Sequence, residues 1–60
     1  MIERKSFTIA VPDGSNADYY IPDEISNIMY DVGIKEEDVK SIFDREHDGI
    51  YTVIIYYIKG

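Results

Sequence analysis

The sequence predicts a small α+β domain of βαββ type, in which one helix packs on one face of a three-stranded sheet. Three observations support this fold class. The apolar residues are mostly β-branched or aromatic, with eleven Ile, four Val and six Tyr beside no Leu, and this bias favours strands. One segment in the middle of the chain has apolar residues at helical spacing. An Asp-Gly pair then lies between two strand-like segments, which is typical of a hairpin.

The first predicted strand covers residues 6–11, where apolar and polar residues alternate. Its apolar side chains share one face and are Phe7, Ile9 and Val11. Pro12 ends the strand because proline has no backbone N–H to donate to a sheet.

The predicted helix begins at Pro22 and ends at Gly33. Proline is tolerated in a first helical turn, and glycine adopts the left-handed conformation that stops many helices. An apolar stripe runs along this segment and consists of Ile21, Ile25, Ile28, Met29 and Val32. The charged residues 35–38 that follow are interpreted as a solvated connector or one further helical turn.

The last two predicted strands, residues 39–46 and 50–59, are joined by a type I′ turn at Asp48-Gly49. This turn sets Phe43 opposite Ile54 and Ser41 opposite Tyr56. One face of the hairpin then carries Val39, Phe43, Ile54, Tyr56 and Ile58. The other face carries Ile42, Tyr51, Val53, Ile55 and Tyr57.

The last strand is apolar on both faces, which predicts a central position in the sheet. The expected strand order is therefore 1-3-2, in an antiparallel or mixed sheet with the helix as a right-handed crossover. A single helix covers only one face, so we expect a second copy of the chain to cover the other. The predicted homodimer interface consists of Tyr51, Val53, Ile55 and Tyr57.

Charge and composition exclude several functions. Twelve acidic residues stand against six basic ones, a net charge of -6, which argues against direct nucleic-acid binding. The sequence has no Cys and a single His, so thiol catalysis and the common zinc sites are excluded. The segment 13–18 superficially resembles a calcium loop, but Asp18 stands where such a loop needs glycine. We predict a turn there, and no catalytic, cofactor-binding or metal-binding residues.

The remaining expectations concern organisation and partners. Residues 1–60 are predicted to form one domain, with no membrane-spanning segment and a cytoplasmic location. An acidic surface is predicted to bind an unidentified basic protein and consists of Asp31, Glu36, Glu37 and Asp38.

The predicted function is a small, non-catalytic adaptor or inhibitor that occludes another protein, as small acidic phage or mobile-element proteins do to host enzymes. Two alternatives remain open. One is a DNA mimic that inhibits a nucleic-acid-binding protein. The other is a small ligand-binding or enzymatic dimer with its site at the interface.

Overall fold

The computed structural model describes residues 1–59. Strand β1 spans Ile2–Ala10, helix α1 spans Ala17–Val32, strand β2 spans Val39–His47 and strand β3 spans Ile50–Ile58, with a 3-10 turn at Glu36–Asp38 before β2. Strands β1 and β2 each pair antiparallel with β3, so the sheet order is β1-β3-β2. The predicted α+β fold and strand order are confirmed.

Strand β1 is longer than the sequence pattern indicated. It begins at Ile2 rather than Ser6 and pairs with β3 along its whole length, from Ile2 opposite Ile58 to Ala10 opposite Ile50. The charged residues 3–5 concealed this part of the strand, because they interrupt the apolar alternation. An edge strand accepts such residues, since charges there discourage pairing with other chains.

Helix α1 begins at Ala17, five residues before the predicted start. Asn16 caps it, because the backbone N–H of Asp18 donates to the Asn16 side-chain oxygen over 2.9 Å. Pro22 therefore lies in the second turn of the helix, where it cannot donate to the carbonyl of Asp18. The predicted start was wrong because it gave proline more weight than the capping residue.

The end of α1 agrees with the prediction. Gly33 has a left-handed φ of 81°, its N–H donates to Tyr30 over 3.3 Å, and the N–H of Ile34 donates to Met29 over 2.9 Å. This pair of bonds is a Schellman motif, which commonly places an apolar contact beside it. Ile34 is buried together with Met29. Val32, expected in the buried stripe, is instead 45% exposed, because the helix ends there and Ile34 takes the buried place.

The β2–β3 hairpin has the predicted turn and register. Asp48 and Gly49 both have positive φ, 51° and 78°, as a type I′ turn requires. Phe43 lies opposite Ile54, as expected. A bulge between Val39 and Ser41 sets Val39 opposite Tyr57. Val39 therefore lies on the helix side and packs against the core, which corrects its predicted face.

The hairpin turn supplies the first test of the fold. Replacing Gly49 by Val should lower the free energy of unfolding by about 1 kcal/mol or more, because β-branched residues resist positive φ. No heavy atom lies within 4 Å of a Cβ built at this position, so backbone strain alone causes the loss. Thermal melts measure it. Gly49→Asn is the control and should cost less, whereas equal stability of Gly49→Val and the wild type would contradict the turn.

The core lies between α1 and the sheet. Its buried members are Ile9, Ile21, Met29, Ile34, Val53 and Ile55. Among these core residues, Val53 and Ile55, both on the central strand, are 0% exposed. In residues 1–59, α1 is too short and too polar to cross a membrane.

Candidate functional site

The side of the sheet that faces away from α1 is open. We call it the outer sheet face; its positions are Ile2, Arg4, Ser6, Thr8 and Ala10 from β1, Ser41, Phe43, Arg45 and His47 from β2, and Ile50, Thr52, Ile54, Tyr56 and Ile58 from β3. Several large apolar side chains on this face are exposed: Ile2 by 62%, Phe43 by 59%, Ile50 by 48% and Ile58 by 36%. Ile54 and Tyr56 are half-buried between them.

An aromatic pair lies near the middle of the outer sheet face. The rings of Phe43 and Tyr56 meet edge to face, with centroids 6.0 Å apart and an interplanar angle of 85°. They reach each other diagonally across β2 and β3, since Phe43 pairs with Ile54 and Tyr56 pairs with Ser41. Aromatic side chains with this partial exposure are characteristic of protein interfaces.

The charges of the protein are segregated between its two sides. On the outer sheet face, the strand positions in residues 1–59 include no carboxylate, although the chain has twelve. Arg4 and Arg45 lie on the two edge strands, and the positions of the central strand β3 on this face are all uncharged. The outer sheet face therefore has an apolar centre and a polar, cationic border, which is the usual anatomy of an interface.

The residues predicted to form the dimer interface lie on the other side of the sheet. Val53 and Ile55 are 0% exposed beneath α1, while Tyr51 and Tyr57 are half-buried and pack against the same core. The helix covers this face because the apolar face of β1, with Phe7 opposite Val53, lies on the same side. Val53 and Ile55 are therefore not open to a second chain, and the open face is the one that carries Ile54 and Tyr56.

The residues of the predicted acidic surface are divided between different surroundings. Asp31 is exposed in the last turn of α1, and Glu36 and Glu37 are exposed in the 3-10 turn. Asp38 is half-buried and lines a cleft of about 530 Å³ together with three lysines. These lysines are Lys5, Lys35 and Lys59. Three of the four therefore stay exposed, whereas Asp38 shares its cleft with cations.

His47 and Asp48 form an exposed pair at the tip of the hairpin. His47 Nε2 lies 3.3 Å from Asp48 Oδ2, with side chains 87% and 88% exposed. Neither residue lines the cleft at Asp38 or a second cleft between α1 and β2. This environment is that of a solvated turn.

The segment that resembled a calcium loop forms a turn and a helix cap. The N–H of Ser15 donates to the carbonyl of Pro12 over 3.1 Å, Gly14 has a φ of 85°, and Asn16 caps α1. The Asn16 side chain therefore has a structural role as the helix cap.

A second open region lies between α1 and β2 and was not predicted. The helix leaves β2 partly uncovered, and the cleft between them has a volume of about 610 Å³. Its lining consists of Pro22, Ile25, Ser26, Met29, Tyr30, Ile34, Glu36, Val39 and Ile42. Ile42 faces the helix side of the sheet but remains 42% exposed. The signal in the sequence was that the positions following Ile42 on the same side of β2 are acidic, Asp44 and Glu46, and give α1 no apolar surface to cover.

Comparison with known proteins gave no match: no known protein family, no curated protein and no solved structure is significantly similar to this chain.

Proposed function

We propose that this chain is a non-catalytic protein-interaction module that forms a homodimer through the outer sheet face. The observation that carries the proposal is the group of exposed apolar side chains around Phe43 and Tyr56. A monomer seldom leaves such a patch in water, and a fold of this size gains much from association because its own core is small.

The charge distribution favours a second copy as the occupant of this face. The strand positions of two outer sheet faces can stack without bringing carboxylates together, because none of these positions within residues 1–59 is Asp or Glu. The uncharged positions of β3 come to the centre, and Arg4 and Arg45 lie toward the border, where they can stay solvated. A two-fold dimer is also the commonest arrangement of identical chains.

Such a dimer directs its two helix-bearing sides away from each other. Acidic residues on these sides, including Asp31, Glu36 and Glu37, are exposed and suit the docking of a basic protein. In this proposal the dimer acts as an adaptor or inhibitor that occludes its partner. His47 and Asp48 are 87% and 88% exposed and line neither cleft, which favours a binding function over a catalytic one.

Sedimentation equilibrium at micromolar concentration tests the dimer, and two neighbouring residues of β2 supply the variant and its control. Phe43→Lys places a further cation beside Arg45 on the outer sheet face and should give a monomer. Ile42→Lys introduces the same charge on the helix side, at a residue of comparable exposure, and should leave the dimer intact. Circular dichroism verifies that both variants fold. A monomeric wild type, or a dimer lost only in Ile42→Lys, would overturn the proposal.

A further inference from the structure

Strand β2 is an edge of the sheet whose backbone is open on one side. Within residues 1–59, it pairs with β3 only. In a two-residue hairpin, the residues that flank the turn, here His47 and Ile50, exchange both backbone hydrogen bonds, and such pairs then alternate along the strands. The N–H and C=O groups of the intervening residues therefore point to the open edge; these residues are Ile42, Asp44 and Glu46.

The side chains of the same residues lie on the helix side. Ile42 pairs with Ile55, Asp44 with Val53 and Glu46 with Tyr51, so their side chains share the face on which α1 packs. Ile42 lines the cleft between α1 and β2. The open backbone groups and the cleft are thus adjacent, as they are wherever a peptide adds a strand beside a groove.

The charged residues that line the cleft or occupy the paired helix-side positions of β2 are negative. Among residues 1–59, Glu36 is the single charged residue that lines the cleft. Asp44 and Glu46 follow Ile42 at alternate positions of β2, on the same face of the strand. Glu46 Oε2 accepts a bond from the Gly49 N–H over 2.7 Å, which leaves its other oxygen for a partner. Strand β2 therefore offers one apolar position followed by two acidic positions at alternate residues.

We infer that the open edge of β2 binds an extended, basic segment of a protein partner, which adds a fourth strand to the sheet. Its apolar residue lies opposite Ile42, and its Lys or Arg residues lie opposite Asp44 and Glu46. In antiparallel addition the segment reads basic–x–basic–x–apolar, because alternate residues face one side. This inference rests on the proposed protein-binding function and specifies the partner. A second copy fits less well, since its β2 presents carboxylates on the same side.

Fluorescence anisotropy with synthetic peptides tests the inference. The probe is a labelled nine-residue peptide with Lys-Thr-Lys-Thr-Ile at its centre, and it should bind saturably. Replacing both Lys by Glu should weaken binding by about tenfold or more, because two attractive cross-strand pairs become repulsive. N-methylation of alternate backbone nitrogens on the bonding edge should abolish binding, since the peptide can no longer donate to β2. Binding that survives methylation, or no binding at all, would overturn strand addition.

Variants of the protein locate the peptide and separate this test from the dimer test. Ile42→Lys should lower the affinity for the Lys-containing peptide by about tenfold or more. The Phe43→Lys variant should bind the same peptide with wild-type affinity, even though it is a monomer. The double variant Asp44→Lys with Glu46→Lys should prefer the Glu peptide. Absence of this reversal would contradict the assigned positions. If the wild type is a dimer and the Ile42→Lys variant is a monomer, β2 binds a second copy and the inference is wrong.

Discussion

Replacing Val53 by Asp is expected to unfold the domain. Val53 is 0% exposed on the central strand, and a carboxylate buried there without a partner costs several kcal/mol. A natural domain of this size has only a few kcal/mol of stability to lose. Urea denaturation followed by circular dichroism should show no folded baseline for this variant.

The neighbouring Thr52 provides the control for this substitution. Thr52 is half-buried on the outer sheet face and pairs with Arg45, so in the monomeric Phe43→Lys background, where no dimer contact can be lost, Thr52→Asp should change the free energy of unfolding by about 1 kcal/mol or less. If the two variants lost equal stability, the assignment of the two faces of β3 would have to be reversed.

Replacing Pro22 by Ala is expected to stabilise the protein. Pro22 lies inside α1, where it removes a hydrogen bond to Asp18 and crowds that carbonyl, at a typical cost of up to about 3 kcal/mol. Greater freedom of the unfolded chain offsets part of the gain, by about 0.4–1 kcal/mol. A net gain of about 1–2 kcal/mol in urea denaturation is therefore expected.

The same variant distinguishes the two possible starts of the helix. If α1 began at Pro22, as the sequence pattern indicated, the missing N–H would cost nothing and Pro22→Ala would give no gain. Asp23→Ala, at the exposed neighbouring position, is the control and should change stability by about 0.5 kcal/mol or less. Loss of stability in Asn16→Ala, by about 1 kcal/mol, would support the earlier start independently.

The hairpin and the strand order could be predicted because strong local signals determine them. Asp48-Gly49 specifies a turn with positive φ at both residues, and the turn fixes which residues of β2 and β3 face each other. The apolar character of β3 on both faces then placed it in the centre. The bulge that moves Val39 to the helix side has no such signal, since its neighbours Lys40 and Ser41 are ordinary strand residues.

The candidate interface could be predicted only in part. The hairpin register separates the residues of β3 into two sets, but both are apolar, and neither set shows which face the helix covers. That choice depends on the pairing of β1 with β3, and no short turn fixes the register of those two strands. Arg4 and Arg45 can be assigned to the same face of the sheet only when this register is known.

The central position of β3 has a consequence for the way the protein is made. β1 and β2 both depend on β3 for their hydrogen bonds, yet β3 follows both of them and α1 along the chain. During synthesis, β1, α1 and β2 are made before the strand on which they assemble, so their apolar residues cannot be buried against the complete sheet until β3 follows. Pairing Ile2 with Ile58 also closes nearly the whole chain into one loop, which slows folding compared with local contacts. The sheet is thus completed in a late step, and a nascent chain stalled before Ile50 has no sheet to join.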